Sequence, residues 1–467
     1  MRIIKATAVF LFLTIILVPI FSFNFQSNAI SAIDNRMLTE NPFSSETLED
    51  GGDLTDTVQN YVNDRIGFRD SMILAYTLLN DRVFGKMVHP SYTYGKDGYV
   101  FGEGITTVSY AYSDFHEAFA DMVLEIQNYC TERGIPFLFV FNPAKPAVLT
   151  QYLPDGINYD RSWVDDFLAA LDARQVHYID NTDLLIEKTE YGEVVFDQKY
   201  DANHWNDLGA YYGCNAILEE LKKDLPAIHL TQPSEMEVGQ ALQTSLPVSQ
   251  FPIYELVPDI TISMQVTTDR TALYDEELER DPSYTAFTYY QNVDRIEEGA
   301  PKVLVFQGSY MNNFGYQYLA NGFGEYISVH DYQNVLDFSY YYNIFQPDAV
   351  IFEVAEYTFY DIYFDYDSMS QFVANPSLSA VEAETEALEE QPLVWEQLTV
   401  EEGSALTKIY WNTDLSFEAV WLCLDEEYDM KTSETGYVVT VPTVTYRQYQ
   451  TFLSIAAYRD SVLRLYQ

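Results

Sequence analysis

Cysteine is nearly absent. Three residues (Cys130, Cys214, Cys423) in a chain of 467 are too few, and odd in number, for a disulfide framework. None sits among basic neighbours that would mark a reactive thiol, so all three read as small buried hydrophobes. Basic residues are also scarce: 25 Lys+Arg against 71 Asp+Glu leave a net charge of −46. Such a surface repels phosphate backbones, which excludes nucleic acid as a partner; an acidic polymer would have to be gripped locally. The six histidines include no pair at metal-binding spacing, so no zinc site and no cofactor is expected. Asp361, Asp365 and Asp367 lack the glycine and terminal glutamate of a calcium loop and read as a solvated loop before a cation site.

Apolar residues, by contrast, are plentiful. A hydrophobic content of 48% with 16% aromatics excludes a disordered chain, and the length accommodates two or three domains. One long apolar run exists, Ala6 to Phe23, preceded by Arg2 and Lys5. The basic flank places the N-terminus in the cytoplasm and the rest outside. Ser27-Asn28-Ala29 would permit signal cleavage and secretion, but a retained single-pass anchor over residues 1–30 is favoured.

Beyond the anchor, Leu54 to Phe84 has helical periodicity, and Asp97-Gly98 between Tyr94 and Phe101 signals a tight hairpin. From Tyr112, helix and strand patterns alternate. Phe115 to Cys130, Asp160 to Ala173 and Asn206 to Leu225 read as helices, with Asn206 the N-cap of the last. Pro136 to Phe141, His177 to Ile179, Lys302 to Phe306 and Ala349 to Phe352 read as buried strands. That alternation predicts an α/β fold with a doubly wound parallel sheet covered on both faces. The expected organisation is a catalytic domain over 50–375 with an insertion at about 228–295, where Ile253, Leu256, Ile260, Ile262 and Val266 hint at strands. An acidic linker at 376–392 and a small β-rich domain at 393–467 follow.

Two segments carry candidate chemistry. Asp201-Ala202-Asn203-His204-Trp205 supplies a carboxylate and an imidazole immediately before a helix; a histidine base needs such a partner to fix its tautomer. A capping aspartate beside a packed His-Trp pair is the alternative. The second segment, Lys302 to Phe306 and then Gln307-Gly308-Ser309-Tyr310, is a buried strand ending in Gly-Ser before a helix. Open α/β sheets place ligands outside the carboxyl ends of their strands. Ser309 could act as nucleophile there, or simply cap the helix. Asn142 and Lys145 follow another strand and could face the same crevice, as an oxyanion donor and a contact for an acidic sugar. Turn stabilisation and a solvated lysine are their alternatives. Tyrosines at 340–342 and 357–366 could form sugar platforms or pack internally.

Tyr94–Phe101, Phe141–Lys145, Tyr152-Leu153-Pro154, the D-x-x-H-W segment and the Gly-Ser-Tyr turn occur in that order. Together they resemble the alginate O-acetyltransferase-like, D-H-H-W type group of SGNH-hydrolase-like proteins over roughly residues 50 to 360. The resemblance implies Ser309 as nucleophile, His204 as base and Asp201 as orienter; Gly308 and Tyr310, flanking the serine at the turn, are the expected oxyanion and substrate-side residues. It implies acetyl transfer through an acyl-enzyme to hydroxyls of an exported polysaccharide, with a membrane-bound O-acyltransferase as acetyl donor. Three features differ. Gln307-Gly308-Ser309 replaces the usual Gly-Asp-Ser, the aspartate precedes the histidine by three rather than two residues, and the C-terminal β region lies outside the resemblance. A carbohydrate acetyl esterase with the same triad, and a non-catalytic glycan-binding or scaffold protein, are the competing expectations.

Overall fold

A computed structural model describes residues 2–26, 29–31, 36–39, 41–43, 54–88, 91–102, 111–247, 251–262 and 267–467. The cleavage motif at Ser27-Asn28, and His89 and Val266, lie outside the described residues. Helix α1 (Arg2–Phe21) carries the one stretch, among the described residues, long and apolar enough to cross a membrane, Ile4–Phe21. Two helices follow, α2 (Leu54–Arg65) and α3 (Arg69–Phe84), and then the hairpin of β1 (Tyr92–Tyr94) and β2 (Val100–Gly102). Its turn has positive φ at both Asp97 (53°) and Gly98 (78°) and is closed by Tyr99 N–H donating to Lys96 O at 3.1 Å. That is the type I′ geometry an Asp-Gly pair favours.

The chain then builds one seven-stranded sheet. Its elements are α4 (Asp114–Glu132), β3 (Phe137–Asn142), α5 (Ser162–Ala173), β4 (Tyr178–Asp180) and α6 (Asp207–Leu221). A long hairpin of β5 (Met236–Ser245) and β6 (Pro252–Ile262) intervenes, followed by β7 (Thr267–Asp269), β8 (Phe287–Asn292), β9 (Lys302–Gln307), α7 (Tyr316–Gly322), β10 (Glu325–His330), α8 (Phe338–Phe345) and β11 (Ala349–Ala355). The strand order is β4-β3-β11-β9-β10-β8-β7, with the first five parallel and the last two antiparallel. The expected insertion is therefore only partly separate: among the described residues β5 and β6 pair only with each other, whereas β7 and β8 complete the sheet's edge.

Alternating side chains cover both faces. Leu304, Phe306, Phe139, Phe141 and Phe352 pack beneath α4, α5 and α8, while Val303, Val305, Leu138, Val140 and Ile351 pack beneath α6 and α7. Strands buried on both faces need near-continuous apolar sequence, which is why β3, β9 and β11 read as hydrophobic runs, interrupted in β11 by the buried Glu353.

The C-terminal region forms two further sheets, of five and four strands, around Trp411, Val420, Leu422, Val439 and Ile455. The stretch expected to be an acidic linker is not one. Leu378–Glu384 is helical, and Ala387–Gln391 is an edge strand paired in parallel with Val462–Tyr466. Its glutamates are exposed because an edge strand at the surface can carry charge and still use its backbone for pairing. Arg133, just past the end of α4, joins the two regions, 3.1 Å from Glu427 and 3.4 Å from Asp429, and the amide of Asn343 brackets the Asp429 backbone.

Candidate active site

β9 runs through the middle of the sheet and ends at Gln307, so Gly308 and Ser309 emerge at the carboxyl edge beside the ends of β11 and β10. Ser309 opens a helix whose first turn is a π-helical segment, Met311–Gly315, continuing into α7. Across the crevice, Asn206 caps α6 by accepting from Leu208 N–H and Gly209 N–H, each at 3.1 Å. The loop just before that cap carries Asp201 and His204.

The two segments meet. His204 Nε2 lies 2.7 Å from Ser309 Oγ, and His204 Nδ1 lies 2.8 Å from both carboxylate oxygens of Asp201. Because an ionised carboxylate only accepts, Nδ1 carries the proton and Nε2 is left to accept from the serine. Asp201 also accepts the N–H groups of Asn203 at 3.1 Å and His204 at 3.0 Å. Burial pushes its carboxyl up, but the His204 ring and these amides outweigh that and hold it below the ordinary value.

This loop is clamped by opposite charges. Glu255, on the β6 strand, accepts the N–H groups of Gln198, Lys199 and Tyr200 at 2.7, 2.9 and 2.6 Å. On the carbonyl side, Lys145 Nζ donates to Val100 O at 2.8 Å, Asp201 O at 3.2 Å and Gln198 O at 3.4 Å. Between the clamps Asp201 takes a left-handed conformation, φ 53°, sparsely populated by non-glycine residues and maintained by its surroundings. Lys145 is thus fully buried and does not reach a sugar. Burial pulls its ammonium down to about 8, against the opposing pull of Asp201, Asp197 and Glu255.

Asn142 is likewise turned inward. Its Nδ2 donates to Glu353 at 2.7 Å and its Oδ1 accepts from Asn181 at 2.8 Å. Gly308 N–H is committed to the other oxygen of Glu353, at 2.9 Å. Tyr310 is buried, its hydroxyl between Pro143 O at 2.7 Å and Asn203 O at 2.9 Å, its ring edge-on to His204. Of the four residues expected on the oxyanion and substrate side, these three side chains and the Gly308 amide therefore serve the scaffold. Each is a buried polar group, and burial without a partner would cost more than the crevice contact forgone.

The glycine at 308 also has an account. A side chain there would come within 3.5 Å of Asp331 and 3.7 Å of Glu353, both fully buried. An aspartate at this position would add a third carboxylate to that pair; the acidic groups come instead from the ends of β10 and β11. Burial and the neighbouring Asp331 push the Glu353 carboxyl up to about 8.

Trp205 is fully buried, with Nε1 donating to Tyr310 O at 3.1 Å, and its ring presses on Gly213 of α6, where a Cβ would lie 2.3 Å away. The tryptophan thus locks the His204 loop to the Ser309 turn. Tyr357, from the stretch expected to form sugar platforms or to pack internally, brings a hydroxyl to the Ser309–His204 pair. Its hydroxyl stands 2.9 Å from His204 Nε2 and 3.2 Å from Ser309 Oγ. Tyr340, Tyr341 and Tyr342 are buried in the core and offer no platform.

Comparison with known proteins adds to this geometry. Residues 93–270 match the family model of the SGNH hydrolase-like domain, acetyltransferase AlgX. The match covers less than half of the chain; Asp201 and His204 lie inside it and Ser309 beyond its end. The α/β region has an SGNH-hydrolase-like fold. Among solved structures, the O-acetyltransferase domain of Pseudomonas putida AlgJ is 14% identical, covers 62% of this chain and 95% of its own, and superposes with a TM-score of 0.40. Bacillus cereus PatB1 is 15% identical, with 59% and 98% coverage and a TM-score of 0.44. A DHHW family protein from Eubacterium siraeum is 13% identical, with 62% and 98% coverage and a TM-score of 0.44. No curated protein matches the sequence.

Proposed function

We propose that the protein is an extracytoplasmic serine O-acetyltransferase that moves an acetyl group, through an ester on Ser309, to hydroxyls of an exported or cell-surface polysaccharide. The hydrogen-bonded line Ser309–His204–Asp201 is the observation that carries this reading, and the AlgX-type family match supports the acyl group and the glycan acceptor. Ser309 Oγ attacks the acetyl carbonyl while His204 Nε2 takes its proton; Asp201 stabilises the imidazolium. The first amides of a helix have no intrahelical acceptor, so Ser309 N–H and Tyr310 N–H supply donors to the tetrahedral oxyanion. Collapse expels the donor's leaving group, which receives the proton from His204, and leaves acetyl-Ser309. A sugar hydroxyl then attacks the ester, giving its proton to His204, and that proton returns to Ser309 Oγ as the acetylated sugar departs.

The acetyl donor in this reading is a membrane-bound O-acyltransferase, and α1 keeps the catalytic domain at the outer face of the membrane. A carbohydrate acetyl esterase would use the same residues with water in place of the sugar.

A chromogenic acetyl ester followed by intact mass tests the proposal. A burst of product, with a one-acetyl mass gain that vanishes in Ser309→Ala, is expected. Acetylated oligosaccharide rather than free acetate then separates transfer from hydrolysis. No burst and no adduct would leave a glycan-binding protein as the better reading.

A further inference from the structure

α3 is apolar on two sides. Its inward side half-buries Ile73, Leu74 and Leu78 and buries Thr77, with Leu78 packed against the Tyr92 and Val100 cluster. Its outward side begins at Phe68 and continues through Met72, Tyr76, Leu79 and Val83, recurring every three or four residues, each between 45% and 60% exposed. Phe84 extends it at the far end. An exposed apolar stripe of this length, beside the face already packed on the domain, marks a contact surface.

The neighbouring elements indicate what covers it. The turn between α2 and α3 is bonded to the end of α1: Gly67 N–H donates to Pro19 O at 2.9 Å and Asn24 N–H to Arg65 O at 2.8 Å. Gly67 touches Ser22 so closely that a Cβ there would lie 2.4 Å from it, and the Phe23 ring lies 5.5 Å from Tyr61. Where α1 spans the bilayer, Pro19 and Ser22 lie at its outer boundary, and α3 starts at that level. The helix carries Arg69 and Arg82 against Asp70 and Asp81, a neutral set in a chain of net charge −46. Attraction to anionic headgroups is therefore not the driving force; burial of apolar surface is. Tyr76 is a residue type that settles at the headgroup boundary, and Phe68 and Phe84 add apolar area at the two ends of the stripe.

We propose that α3 lies on the outer leaflet with Met72, Tyr76, Leu79 and Val83 immersed at the acyl boundary, fixing the catalytic domain's orientation over the membrane. The proposal rests on α1 being retained as an anchor. Its consequence is that the domain is held to the bilayer along a helix as well as at a point, so that the Ser309 crevice faces the membrane surface at a set angle.

Nitroxide labels on the full-length protein in phosphatidylcholine nanodiscs test this. Cys423 is replaced by serine, Cys130 and Cys214 being buried, and single labels are placed at Met72→Cys, Tyr76→Cys, Leu79→Cys and Val83→Cys. Val238→Cys on the exposed hairpin and Leu13→Cys in α1 are the references. Collision with oxygen severalfold above that with a water-soluble nickel chelate is expected at the four α3 sites, as at Leu13 and in contrast to Val238. Lipid contact at Leu13 with water contact at all α3 sites would overturn the proposal and leave the anchor standing. Water contact at Leu13 as well would overturn both. Immobilised labels shielded from both reagents would show a protein partner or second copy on this face, and would also overturn it.

Discussion

Glu353 accepts the backbone N–H of Gly308 at 2.9 Å from beneath the turn that presents Ser309, tying the end of β11 to the end of β9. The carboxyl is fully buried and raised to about 8, whereas in an unfolded chain it would titrate near the ordinary value of 4.5. The folded state therefore holds a proton that the unfolded state releases, so this group's stabilisation is present at low pH and lost as pH rises through about 8. Asp197, raised to about 7, and Asp207 and Asp429, each raised to about 6, act in the same direction. Glu277, lowered to about 2, acts oppositely only at strongly acid pH, and His116, pulled down to about 4 by burial, acts oppositely between about pH 4 and its ordinary value of 6.5. The thermal midpoint of the wild-type chain should fall from about pH 6.5 to pH 8, above the range in which His116 opposes the raised carboxyls. Glu353→Gln, neutral throughout, should flatten the upper part of that decline. A midpoint that rises over this range would contradict the assignment.

Asp201→Asn should leave the fold intact and reduce turnover by about three to four orders of magnitude, because an amide no longer fixes the Nδ1–H tautomer of His204. Single-turnover acetylation of Ser309, followed by mass, measures this directly. Loss of acetylation with an unchanged near-UV spectrum is the expected pair of results; unchanged acetylation would remove Asp201 from the relay.

Tyr357 shares the acceptor nitrogen of His204 with Ser309. Tyr357→Phe keeps the ring packed and removes only the hydroxyl, so thermal stability should change little. If the hydroxyl steadies the charged imidazole or the oxyanion, kcat should fall between roughly tenfold and a hundredfold with KM nearly unchanged. A change confined to KM would place Tyr357 at the acceptor sugar instead.

The sequence made the central strands legible because β3, β9 and β11 are buried on both faces and so are written as near-continuous apolar runs, from Ala349 to Phe352 in β11 before Glu353 interrupts. It made Asp201, His204 and Ser309 legible because each stands at a strand or helix end in a recognisable string. Asn142 and Lys145 were misplaced for a physical reason. Residue type and strand-end position are compatible with facing either crevice or core, and only the locations of Glu353, Asn181, Val100 and Gln198, all distant in sequence, decide which. Tyr357 lay in a tyrosine-rich stretch where composition could not distinguish one hydroxyl in the site from rings in the core. The glutamates of Ala387–Gln391 concealed a strand because an exposed edge strand has no apolar face to reveal its period.

Lys145 offers the sharpest test of how the His204 loop is held. Its ammonium satisfies the carbonyls of Val100, Gln198 and Asp201 in a site without solvent. Lys145→Met preserves much of the volume but orphans those acceptors, which should cost about 3 kcal/mol or more in denaturant unfolding. The left-handed Asp201 then loses one of its two clamps, so acetylation of Ser309 should slow even in the fraction that remains folded. Glu255→Gln weakens the other clamp while keeping an acceptor for the amides, and should slow acetylation with a smaller loss of stability. Because both clamps hold one loop, the double variant should be less impaired than the two single effects combined. Fully additive effects would mean that Lys145 and Glu255 support separate parts of the fold, and that the Asp201 conformation is held by His204 and the neighbouring amides alone.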